Sequence, residues 1–78
     1  MGYKTEARKV WQQAKGAHLD ATQRMAVLTL LLHESGNVTT HRIKGALSEA
    51  KRTREALDRV IVALGDVVEI GKRVEADQ

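Results

Sequence analysis

VTTHRIKGALSEAKRTREALDRVIVAL, residues 38–64, is the stretch whose folding decides the architecture of this 78-residue chain. Ile43, Ala46, Leu47, Ala50, Leu57, Val60, Ile61 and Leu64 recur at the spacing of a buried helical stripe. Facing away are Arg42, Lys44, Lys51, Arg52, Arg54 and Arg59, opposed only by Glu49, Glu55 and Asp58. Between Thr39 and Arg54 five cations stand against one acid, a local charge of +4. The whole chain, with 13 basic and 10 acidic residues, carries only +3. The positive charge is concentrated here.

Two foldings of the stretch are open. In the first, residues 39–48 form one helix, 48–52 a turn, and Thr53 caps a second helix over 53–64. In the second, one unbroken helix runs from 39 to 64 or beyond. Ile43, Ala50, Leu57 and Leu64 are spaced by seven, as are Ala46, Thr53 and Val60, and neither Pro nor Gly interrupts 46–64. That is coiled-coil spacing, and it builds a three-helix bundle. The tail, GDVVEIGKRVEADQ, weighs toward the first folding. Its glycines at 65 and 71 together cost a helix roughly 2 kcal/mol relative to alanine. Val67, Val68 and Ile70 are β-branched, and Gly71-Lys72 between them and Arg73-Val74 suits a type II′ hairpin turn. The expected fold is a mainly α (α+β) domain with a helix-turn-helix and a short C-terminal β-hairpin over 66–76, the three-helix bundle being the alternative.

Upstream, residues 4–15 read as a helix with Thr5 as cap and Glu6 in its first turn. Ala7, Val10, Trp11 and Ala14 are its inward stripe, with Trp11 as a core anchor, and Gly16 ends it. A second helix covers 20–34, capped by Asp20, with Met25, Leu28, Leu31 and Leu32 as the main stripe and Val27 and Leu30 widening it. Ser35-Gly36-Asn37 is the plainest break in the chain, and Thr39 is a good N-cap beyond it.

Composition sets the outer bounds. Seventy-eight residues make one small domain near the lower limit for a self-sufficient core. With 42% hydrophobic residues and only Tyr3 and Trp11 aromatic, that core is aliphatic. The absence of cysteine excludes disulfides and thiolate metal sites. The longest apolar run, 27–32, is far shorter than the roughly 20 residues a bilayer requires. No signal peptide is legible, so a soluble cytoplasmic domain with no membrane contact is expected. A pI near 9.6 favours an anionic partner.

In this order and spacing, the chain from about Thr22 to Glu75 resembles the winged helix-turn-helix superfamily of DNA-binding domains. QRMAVLTLLLHESGNVTTHRIKGAL is similar to the first helix, short turn and supporting helix, and KRTREALDRVIVALGDVVEIGKRV to the recognition helix and wing. The match departs from the pattern in lacking a glycine in the 48–52 turn and in carrying Gly45 inside the supporting helix. The resemblance implies sequence-specific binding to double-stranded DNA, as a transcriptional or replication regulator. Residues 53–64 would enter the major groove. Thr53 would cap that helix, Arg54 would read guanine bidentately, and Arg59 would follow one to two turns on. Lys44, Lys51 and Arg52 would hold phosphates. Lys72 and Arg73 at the hairpin tip would reach the adjacent backbone or minor groove, and Thr39 and Thr40 would offer backbone N–H groups to a phosphate. A homodimer through the helix around Trp11 is a further expectation.

The same charges also read as a solubilising surface, with Arg54–Asp58 and Glu55–Arg59 as i,i+4 pairs. Catalysis has little support. His18, His33 and His41 are scattered with no clustered acid for a metal, the glycines are isolated, and no nucleophile has a base partner. No enzyme activity, cofactor or small-molecule substrate is expected. The rival to DNA binding is a protein–protein module, a helical bundle or coiled-coil adaptor that uses the long stripe of 43–64.

Overall fold

Two helices account for nearly all of the chain. The computed structural model describes the backbone of residues 2–76 and the side chains of residues 4–73. Helix α1 spans Gly2–His33 and helix α2 spans Thr40–Ala76, with residues 34–39 as the connection. The helices run antiparallel as a hairpin measuring 61 × 14 × 13 Å. Its radius of gyration is 17.8 Å, against about 11.5 Å for a globular chain of this length.

The connection is tied down by few groups. Gly36 takes φ 123°, a backbone conformation that residues with a Cβ rarely adopt. The Arg42 guanidinium reaches back from the first turn of α2 and donates to the carbonyls of Asn37 (2.6 Å) and Glu34 (2.9 Å). Thr39 is the N-cap, its Oγ1 accepting from the Arg42 amide at 3.2 Å. Its carbonyl accepts from the Ile43 amide at 3.0 Å.

The helices meet along a seam that alternates steps of three and four residues. On α1 it comprises Ala7, Val10, Ala14, Ala17, Ala21, Arg24, Leu28 and Leu31. On α2 it comprises Ala46, Glu49, Thr53, Ala56, Val60, Ala63, Val67 and Ile70. Every one is buried or half-buried. This is the seven-residue repeat of a coiled coil. Alanine dominates it, and small side chains let two helix axes approach closely. The buried core is Ala14, Ala21, Ala56, Ala63 and Ile70, with Thr53 as the one buried polar residue described. About two and a half turns from the connection, Glu49 stands between Arg24 and Arg52, at 3.6 Å from each, with its side chain only 13% exposed.

The winged-helix expectation is therefore corrected: no strand occurs among the described residues, and 66–76 is helix. Val67 and Ile70 fall on the seam, and burial against α1 outweighs the weak helix preference of β-branched residues. Residues 48–52 form no turn. Ser-Glu-Ala-Lys-Arg holds no helix breaker, and the Thr53 hydroxyl donates to the Glu49 carbonyl at 2.9 Å inside one continuous helix. Thr53 is thus a seam residue, not a cap, and no separate recognition helix 53–64 exists. The 4–15 and 20–34 helices are likewise one. Gly16 lies within α1, and Asp20 serves as an ion-pair partner in mid-helix instead of a cap. With α1 undivided, the three-helix bundle is also replaced, by a two-helix hairpin. Trp11 is not a core anchor: it is 51% exposed. The Tyr3 side chain lies outside the described residues.

Candidate interaction surface

Helical geometry turns each residue that follows a seam position by about 100° away from the seam. In an antiparallel pair this rotation brings the following residues of both helices to the same side of the hairpin. The groove between the helices on that side is lined by Trp11, Lys15 and His18 from α1 with Val60 and Leu64 from α2. The groove on the other side is lined by Gln13, Gly16 and Asp20 with Arg59, Val62 and Asp66.

The two sides differ in chemistry. On the first, an outer stripe runs beside the seam. It comprises Trp11, Met25 and Leu32 on α1 and Ile43, Leu47, Ala50, Leu57, Ile61, Leu64 and Val68 on α2. All but Ala50 are exposed large hydrophobics. The charges at outer-stripe positions are Lys4, Arg8, Lys15 and Arg54, with no acid among the described residues there. On the second side lie the ion pairs that cross between helices near the surface. Asp20 holds Arg59 at 2.7 Å and Glu6 holds Arg73 at 3.5 Å, while Asp20 also pairs with Arg24 of its own helix at 3.2 Å. A pair of this exposed kind contributes about 0–1 kcal/mol. Together they fix the antiparallel register without making a site.

The ten residues expected at DNA are spread along α2 and its cap. Thr39 and Thr40 open the helix at the loop end, and Arg73 lies near the opposite end. That separation is about 50 Å along a straight helix. Thr53 is buried in the seam. Arg52 pairs with Glu49, Arg59 with Asp20, Lys72 with Glu69 at 3.4 Å, and Arg73 with Glu6. Lys44, Lys51 and Arg54 are exposed and make no ion pair with described residues. The structure does not bring these ten side chains together.

Among the described residues no group of three or more His, Asp or Glu side chains is placed to hold a metal ion. Among the described residues no helix is long and apolar enough to cross a membrane. In comparison with known proteins, no family model matches the chain, and neither does any curated protein or solved structure.

Sequence reasoning missed the division of α2 into two stripes. Ile43, Ala46, Leu47, Ala50, Leu57, Val60, Ile61 and Leu64 read as one inward face, but Ala46 and Val60 belong to the seam and the others follow it by one residue or by rotation. The signal was residue size. Small residues repeat by seven at 14 and 21 and at 56 and 63, each followed by a different set of larger or polar ones.

Proposed function

We propose that the chain is a protein–protein interaction module: an alanine-seamed helical hairpin that presents its outer stripe to another helical surface. The observation that carries this reading is the line of large apolar side chains from Trp11 and Val68 to Leu32 and Ile43, exposed along one side. Contiguous apolar surface of this kind marks interaction sites, whereas isolated exposed hydrophobics need no explanation. The groove beside it is shallow, and the cations at its margin have long apolar stems that lie along such a surface with their heads in water.

A photo-crosslinking side chain placed at Ile61, and separately at Val62, tests the reading in the producing cell. The two positions are equally open, at 67% and 64% exposure, but they lie on opposite sides of the hairpin. Protein adducts at 61 and not at 62 are expected. Adducts at neither position would remove the module reading.

DNA binding is the second reading, favoured by Lys44, Lys51 and Arg54, which are free of acidic partners among the described residues. Without a wing or a separate reading helix, it would rest on phosphate charge. Titration of random duplex DNA at two salt concentrations tests it. Binding that enriches one sequence and is lost in Arg52→Ala/Arg54→Ala would restore a specific DNA reader.

A further inference from the structure

The surface of the hairpin is larger than a chain of its mass normally exposes. It presents 6247 Å², whereas a folded monomer of 8.6 kDa is expected to present about 4,700 Å². The excess, about 1,500 Å² on that scaling, matches what one partner contributes to an obligate interface, about 1,000–2,500 Å² per chain. The interior of a single hairpin is correspondingly thin. No large side chain among the described residues is fully buried.

The outer stripe also specifies the kind of partner. Trp11, His18, Met25 and Leu32 are spaced by seven, and so are Ile43, Ala50, Leu57 and Leu64. A strict seven-residue repeat keeps a narrow line of side chains facing a straight partner of matching period, whereas a flat apolar phase imposes no such register. The stripe extends along most of a 61 Å rod. The covering surface must therefore be a helical seam of similar length and repeat. This chain carries one.

From these observations we infer that the outer stripe is covered by a second copy of this chain, so that two hairpins form a four-helix bundle with Trp11, Leu57 and Leu64 in its interior. The inference rests on the module reading above and names its partner. The stripe is compatible with itself. Arg8, Lys15, Thr22 and Thr29 succeed one another by seven along one edge, and Leu47, Arg54, Ile61 and Val68 along the other. Reversed by a two-fold axis across the middle of the face, the first edge sets its cations against threonines. The second sets Arg54 against Ile61. Neither edge then meets a like charge. Most oligomers of soluble chains are two-fold symmetric, with the same patch used on both copies.

Sedimentation velocity of the full chain, with Leu57→Asp, Leu57→Ala and Val62→Asp beside it, tests the inference; the two-fold sets Leu57 against Ala50, where a carboxylate meets no cation. The wild type and Val62→Asp are expected at twice the chain mass, with Leu57→Ala shifted toward single chains by at least about tenfold in dissociation constant and Leu57→Asp losing the dimer. A wild type at single-chain mass throughout the concentration range overturns the inference, as do Leu57→Asp and Val62→Asp with equal effects. Flotation with vesicles containing phosphatidylserine adds one more arm: a single-chain wild type that floats with them assigns the face to a membrane surface instead. A helical single-chain protein that still gives protein adducts at position 61 would refute self-association while leaving the module reading intact. Absence of both dimer and adducts would remove the two together.

Discussion

The seam and the outer stripe lie one residue apart on the same two helices, yet they are made of different side chains. The seam is alanine at 7, 14, 17, 21, 46, 56 and 63, interrupted by a polar layer at Arg24 and Glu49. The outer stripe is Trp, Met, Leu, Ile and Val, and it is exposed. In a protein that completed its core alone, the larger side chains would be inside, since each buries more apolar area. Here four of the five buried core residues are alanine, Ile70 being the one large side chain among them. Closeness of two helices and amount of buried surface are thus separate quantities, set by separate residues. Alanine brings the helices together, and the bulky residues are left for a contact beyond the hairpin.

A charge in the seam should do the most damage to the hairpin. Ala21 and Ala56 are fully buried, so Ala56→Glu places an unpaired carboxylate between the helices. A loss of about 3–5 kcal/mol is expected, read as the urea midpoint of the far-ultraviolet helix signal. Arg42→Ala asks how much of the hairpin depends on its turn. It removes two hydrogen bonds to loop carbonyls and should lower stability by about 1–2 kcal/mol without changing the denaturant slope.

The glycines sharpen the distinction between turn and helix. At Gly36 a Cβ meets a positive φ, and Gly36→Ala should cost about 1 kcal/mol. At Gly16 and Gly65 a Cβ meets nothing within 4 Å, so alanine there should raise stability by about 0.5–1 kcal/mol each and move the thermal midpoint upward. The smallest effect is expected for Arg59→Ala. Its pair with Asp20 is more than half exposed on the arginine side. A change below about 1 kcal/mol that disappears at high salt is the expected result.

Much of the fold was legible in principle from spacing. The seven-residue steps through Ile43, Ala50, Leu57 and Leu64 already indicated one long helix, and the break at 35–37 marked where the chain reverses. What misled was local punctuation. Gly16 and Gly65 read as helix ends, Gly71 as a hairpin turn, and Val67, Val68 and Ile70 as strand. A penalty of about 1 kcal/mol per glycine is real, but it is offset once Val67 and Ile70 pack on α1, and that packing is invisible to any window of one helix. The candidate site was less legible. Arg52, Arg54 and Arg59 stand within eight positions and look alike in sequence. Whether each is tied up depends on Glu49 and Asp20, one a turn away and the other on the opposite helix.

The turn at residues 34–39 also sets the order in which the hairpin can assemble. Facing seam positions are about 15 residues apart in sequence at Leu31 and Ala46 and about 60 apart at Ala7 and Ile70, so the entropy of closure rises steadily away from the loop. Contacts nearest the turn are the least expensive to form, and those at the far end follow only when their neighbours are in place. Arg42 is thus at the starting point of a zipper. Amide exchange should be slowest beside that point and quicken toward Gly2 and Ala76, so that the rod opens from the end opposite the turn as a pair of frayed threads.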